Sequence, residues 1–223
     1  ASDYNNAPDG DLDIALALLQ AEARWPGNGY RELALHVVRD ILAYNTTVYS
    51  GRRVLLAGDA TLQPPTNGNY PSYFAPGYYR AFAAALASSA ETDGAELAAQ
   101  YLELAEDTYE LFDGYQAAMD NKLWPEFANL DGTLRNNDQG YWWNACRTPW
   151  RIATDWAWYR GADAERQLTT AAAANPDPYT AATEKNSAFV GALTFLHLPA
   201  GQEAFQTACS RWLSSSLNDG VYF

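Results

Sequence analysis

Cysteine, histidine and methionine are nearly missing from this chain, with two, two and one in 223 residues. Cys146 and Cys209 are too few for a disulfide scaffold and too isolated for a zinc site. His36 and His197 both sit in apolar helical contexts, so neither a histidine metal centre nor a serine triad is expected. No metal and no cofactor are therefore anticipated, and carboxylates must carry any acid–base chemistry. Basic residues are also scarce, at 14 against 27 acidic ones, for a formal charge of −13. That balance speaks against a nucleic-acid backbone or an anionic membrane as partner and leaves a neutral or cationic ligand. No apolar run is long enough to span a bilayer, and the first residues lack the basic, apolar and cleavage regions of a signal peptide.

Apolar residues make up 48% of the composition, enough for one sizeable domain over residues 1–223 with a substantial core. The most loaded stretch is Tyr141–Tyr159, which holds five of the eight tryptophans. Thr148 reads as an N-cap, with Pro149 at the first helical position. Trp150, Ala153, Ala157 and the ring of Trp158 then repeat near helical spacing. Ahead of this helix, Tyr141, Trp142, Trp143, Asn144 and Arg147 place flat apolar rings beside hydrogen-bond donors. Sugars need that combination, because their C–H faces stack on aromatics while their hydroxyls require polar partners. Trp150 and Trp156 are expected in the core and Trp143 toward a ligand.

Read in order, the chain gives helices over Asp9–Trp25 and Tyr30–Tyr44, joined by the break Pro26–Gly29. Leu33, Val37, Ile41 and Tyr44 mark the apolar face of the second. Thr46–Tyr73 loses helical period and reads as a long loop or short hairpin. Helices follow near Tyr78–Ser88 and Ala95–Met119. A second polar loop, Asp120–Gly140, carries Glu126, Asp131 and Asp138. Asp163 is read as the cap of a helix to Ala174, and Asn186 as the cap of Ser187–Leu198; Gln202–Leu217 closes the series. Paired helices without a convincing strand run indicate an all-α domain. With no fixed-period repeat, a closed α/α barrel is preferred to a solenoid.

Four stretches resemble signatures of glycoside hydrolase family 8, the endoglucanase and chitosanase type. They are Ala7-Pro8-Asp9-Gly10-Asp11-Leu12-Asp13 with its helix, Asn69-Tyr70-Pro71-Ser72-Tyr73-Phe74-Ala75-Pro76, Asn144-Ala145-Cys146-Arg147 with its helix, and Asn186-Ser187-Ala188-Phe189. All occur in the family's order and cover nearly the whole chain. The resemblance implies an (α/α)6 barrel with a long cleft, secretion, and inverting hydrolysis of a β-1,4-linked polysaccharide or oligosaccharide such as cellulose-type glucan or chitosan. It matches Asp9 to the aspartate that contacts the distorted central sugar, Arg147 to an active-site arginine, and Trp143 and Tyr73 to cleft aromatics. Tyr141 joins them as a substrate-binding candidate. Pro8 stands where the family has Ser or Thr.

Two departures shape the functional expectation. The family's general acid is a glutamate in a motif upstream of the first signature, on helices absent here, and the last barrel helix is also not seen. The barrel is thus expected to be incomplete in this chain, with the acid supplied by a preceding segment or a companion chain. One branch of the family places its base where Asn144 stands, and an amide cannot take up a proton. Either Asn144 marks an inactivated site, or the base comes from the preceding loop, with Asp138, Asp131 and Glu126 as candidates. An inverting mechanism needs a protonated acid and a carboxylate about 6.5–9.5 Å apart. Asp9, at a helix N-terminus, should stay anionic and suits charge stabilisation rather than proton donation. The alternative is a catalytically inactive carbohydrate-binding fragment.

Overall fold

Helix α1 (Pro8–Arg24) starts where proline fixes φ at the first helical position and Asp9 and Asp11 place negative charge against the helix N-terminus. The computed structural model describes residues 6–59 and 68–218, with side chains through residue 213 in the last helix. The elements that follow are α2 (Tyr30–Asn45), strands β1 (Thr46–Tyr49) and β2 (Arg52–Leu55), α3 (Pro76–Ala87) and α4 (Gly94–Ala118). After the loop come α5 (Thr148–Tyr159), α6 (Ala162–Ala174), the single turn α7 (Pro178–Ala181), α8 (Ser187–Thr194) and α9 (Gln202–Asn218). The only sheet among the described residues is the hairpin β1–β2, so the chain is all-α. Ser50 and Gly51 both have positive φ, the two-residue turn that matches the twist of an antiparallel pair.

Packing divides the chain into two compact units. The first comprises residues 1–69, 73–108 and 129–131, and its core is built from α1, α2, α3 and the first part of α4. Leu12 and Ala15 of α1 and Ala34, Val38 and Ile41 of α2 are buried, as are Tyr79, Phe82 and Tyr101. Phe82 meets Tyr101 edge-on at 5.4 Å, and the Tyr101 hydroxyl donates to the Val38 carbonyl at 2.6 Å. Removing each of these large side chains from water contributes about 1.5–3 kcal/mol. Burial also pushes the Tyr101 phenol well above its ordinary pKa, so it remains a neutral donor.

The face of α2 differs from the sequence reading. Leu33 and Tyr44 are exposed, while Ala34, Leu35, Val38, Ile41, Leu42 and Asn45 point inward. Both sets have helical spacing, so periodicity alone could not choose between them. At the end of α2, Asn45 exchanges side-chain bonds with Asn6, and Leu56 N–H donates to the Asn45 carbonyl, which ties β2 to the helix end.

The second unit comprises residues 70–72, 109–128 and 132–223. Tyr109, Phe112, Tyr115 and Trp124 are buried together with Ile152, Leu168, Phe189 and Leu193. Gln167 of α6 is fully buried and satisfied: it donates to Asp113 at 2.6 Å and accepts from the Trp124 indole at 3.1 Å. Gln116 bridges the carbonyls of Gln167 and Lys122, and Asn175 reaches the Asn121 carbonyl at 2.7 Å. These bonds anchor the start of the 119–140 loop. Gly114 supplies a second anchor, since a Cβ there would lie 2.6 Å from the Gly132 carbonyl oxygen.

Three capping expectations resolve differently. Asn186 caps α8 as expected, accepting from Ala188 and Phe189 N–H. Asp163 does not cap α6; its carboxylate pairs with Arg166, and Gly161 precedes the helix. Thr148 is already helical, because the turn Ala145–Arg147 runs directly into α5.

Candidate active site

Helix α5 turns polar residues inward. Arg151 and Asp155 lie one turn apart among its buried residues, next to Ile152 and Ala153. Asp155 accepts from the buried Tyr109 hydroxyl at 2.6 Å. The tryptophans occupy the outer faces instead. Trp150 and Trp156 are half-buried rather than core, each covered by a guanidinium: Arg151 stacks over Trp150 at 4.1 Å and Arg160 over Trp156 at 3.9 Å. Trp158 is exposed. Anchoring α5 by its polar face fixes the turn that precedes it.

That turn is built on Glu126. Its carboxylate accepts from the Asn144 N–H at 2.9 Å and the Ala145 N–H at 2.9 Å, and from the Asn144 side-chain amide. A distant carboxylate thus serves the free N–H groups at a helix start, where the sequence pointed to Thr148. Asn144 Oδ1 accepts from the Arg147 guanidinium at 2.8 Å. Glu126 N–H donates to the Gly140 carbonyl at 3.2 Å, and Gly140 N–H donates to Asp138 at 2.8 Å. Glu126, Asp138, Asn144 and Arg147 therefore belong to one hydrogen-bonded loop. Asp138 is exposed, whereas Glu126, Asn144 and Arg147 are half-buried.

The aromatics divide sharply. Trp143 is 61% exposed, and Phe189 supports it edge-on with ring centroids 4.9 Å apart. Trp142 is also open, its indole seated where a Cβ on Gly140 would be. Tyr141 corrects the sequence expectation of a substrate-binding ring. It is 3% exposed and packed against Phe189, and burial pushes its phenol well above the ordinary range. A ring enclosed on this scale has no free face to stack on a sugar. Cys146 is a buried free thiol whose Sγ donates to the Trp143 carbonyl at 3.2 Å, and burial raises its pKa, so it is not poised as a nucleophile.

Asp9, Tyr73 and Asp131 belong to the first unit. Asp9 is half-buried on the first turn of α1 and accepts from Gly10 N–H at 3.0 Å. Tyr73 is half-buried in the 3-10 turn Pro71–Tyr73, and Asp131 is exposed. Among the described residues no group of three His, Cys, Asp or Glu side chains could hold a metal ion, and no helix is long and apolar enough to cross a membrane. Sequence reasoning missed Phe189 as the support of Trp143 and Gly140 as the seat of Trp142. A signal existed for the latter, since Asp138-Gln139-Gly140 has the spacing of a side chain that bonds the backbone two residues on.

The sequence matches the family of glycosyl hydrolases family 8 over residues 1–191. The chain belongs to this family. It is 31% identical to a beta-glucanase of Niallia circulans over 170 residues, covering 68% of this chain and 38% of that protein. It is 32% identical to endoglucanase C of Ruminiclostridium cellulolyticum over 164 residues, or 71% of this chain and 32% of the relative. The family 8 chain thus spans about a third of the length of these relatives. Among solved structures, a D263S mutant of a reducing-end-xylose releasing exo-oligoxylanase superposes with a TM-score of 0.72 at 18% identity, covering 95% of this chain and 60% of the other. A family 8 endo-beta-1,4-glucanase from an Achatina fulica gut metagenomic library gives 0.64 at 22% identity, over 89% and 63%. The (α/α)6 class expected from the sequence is the fold class of these neighbours.

Proposed function

We propose that this family 8 chain is part of a secreted, inverting, endo-acting hydrolase of β-1,4-linked polysaccharide, with cellulose-type glucan or chitosan as substrate. The observation that carries the reading is the open Trp143 ring beside the Asn144–Arg147 pair. It offers an apolar platform next to a charged donor, the pairing a pyranose ring and its hydroxyls require. The beta-glucanase and endoglucanase relatives favour glucan. The excess of acidic residues favours a cationic polymer by electrostatic steering.

In this reading Asp138 is the base. It is exposed, and its loop bond to Gly140 engages one carboxylate oxygen. It takes the proton of the attacking water as the glycosidic C–O bond breaks, while the leaving oxygen is protonated by a glutamate from a preceding segment or companion chain. Asp9 is the candidate for contacting and orienting the sugar. The decisive assay follows the anomer released from soluble glucan and chitosan by the full-length protein. The α-anomer is expected first, and Asp138→Asn should lower kcat by about 10²–10⁴-fold. Asp131→Asn should leave kcat unchanged, and the 223-residue chain alone should turn over negligibly. Release of the β-anomer would overturn inversion. A second reading, a catalytically inactive carbohydrate-binding domain, is favoured by the amide at Asn144; oligosaccharide binding without turnover by the full-length protein would establish it.

A further inference from the structure

We infer that Glu126 and Asn144 are a matched positioning pair that presents Arg147 and Trp143 to the substrate, and that neither takes part in proton transfer. The inference rests on the hydrolase reading above. Its first support is the occupancy of Glu126. A carboxylate offers two oxygens with about four lone-pair directions. Here Oε1 accepts from Asn144 N–H at 3.1 Å and from the Asn144 side-chain amide, and Oε2 accepts from Asn144 N–H at 2.9 Å and Ala145 N–H at 2.9 Å. Three N–H donors, one of them shared between the two oxygens, thus hold the carboxylate against the turn, whereas a general base needs an oxygen free to face the attacking water.

Its second support is the chemistry of position 144. The Asn144 side chain donates from Nδ2 to Glu126 and accepts at Oδ1 from Arg147 at 2.8 Å. One planar amide therefore links a carboxylate to a guanidinium, using its donor end for the first and its acceptor end for the second. A carboxylate at this position could serve Arg147 but would bring a second negative charge against Glu126, the arrangement that forces one carboxyl to hold a proton. The surroundings are built for an amide. Asn144 is consequently not a base disabled by substitution, and Asn144→Asp should impair the site. Trp143 is coupled through the same turn, because its neighbour's N–H is clamped and its ring rests on Phe189.

The test uses the full-length protein and the variants Glu126→Gln, Asn144→Asp and the double variant, with soluble cello-oligosaccharide as substrate. Glu126→Gln should raise KM roughly tenfold, a loss of about 1.4 kcal/mol in binding, with a much smaller change in kcat and no rescue by azide. Asn144→Asp should shift KM in the same direction. The double variant should recover part of the loss, because the amide introduced at position 126 can donate to the carboxylate introduced at position 144, which still accepts from Arg147. Hydrogen exchange of the 141–147 segment should rise in Glu126→Gln, reporting the released Asn144 and Ala145 N–H groups. A collapse of kcat that azide restores, with a glycosyl azide as product, would make Glu126 the base and overturn the inference. Lower thermal stability with kcat and KM both unchanged would overturn it too, by reducing the pair to a structural cap. If the wild type neither binds nor cleaves cello-oligosaccharide or chitosan oligosaccharide, the hydrolase reading fails, whereas unchanged exchange in Glu126→Gln would sink the pair itself.

Discussion

The Trp143 indole stands edge-on to Phe189 at 77°, with ring centroids 4.9 Å apart, so that Phe189 braces the platform from the side. Phe189 is itself fully buried near the start of α8, where Asn186 caps the helix. An exposed ring held in this way loses little rotamer freedom on binding a ligand. Trp143→Ala should therefore weaken oligosaccharide binding by roughly 1–3 kcal/mol, measured by titration calorimetry. Phe189→Ala should lower both affinity and stability, because it removes a core side chain as well as the brace. Unchanged affinity in folded Trp143→Ala would assign the indole to packing.

Gly140 should tolerate no side chain. A Cβ there would overlap the Trp142 indole, and the Gly140 carbonyl accepts from Glu126 N–H. Gly140→Ala is expected to displace Trp142, raising its fluorescence accessibility to iodide, and to increase KM more than it decreases thermal stability. Identical quenching in the variant would show that the indole has another resting place.

Tyr109 and Asp155 should be coupled energetically. The hydroxyl donates to a fully buried carboxylate at 2.6 Å. Tyr109→Phe removes that donor while the carboxylate remains buried, and should cost about 1–3 kcal/mol. Urea unfolding of the full-length protein provides the measurement; a change below a few tenths of a kcal/mol would mean that other donors compensate fully.

His197 should impart a pH dependence to stability. Its Nε2 is buried without a hydrogen-bond partner in a cleft also lined by Glu203 and Arg211, and desolvation lowers its pKa below 6.5. The folded state then binds fewer protons than the unfolded state, so stability rises with pH. The His197 contribution is fully present above the ordinary pKa and is lost as pH falls below it. Between pH 7.5 and 5.5 the melting temperature of His197→Gln should decline less steeply than that of the wild type. Parallel slopes would place the titration elsewhere.

The sequence by itself determined that the protein is helical, where most helices begin and end, and that the stretch around Trp143 is special. Helical period, proline at helix starts and glycine at breaks are local properties, so α1, α2, α4 and α8 could be placed within a few residues. Membership of family 8 was also legible, because Asp9-Gly10-Asp11 and Asn144-Ala145-Cys146-Arg147 are contiguous strings. Only tertiary structure decided which of two equally periodic faces of α2 turns inward. It alone put Arg151 and Asp155 inside and left Trp150 and Trp156 half-covered, because a buried polar side chain is admissible only where a partner is waiting, as Tyr109 is for Asp155. It also took Tyr141 out of the ligand-binding set. The decisive contact at the site, Glu126 to Asn144 and Ala145, joins residues 18 and 19 positions apart. No periodicity spans such a gap; the pairing exists because the free N–H groups of a helix start need an acceptor, and the anchored 119–140 loop delivers one.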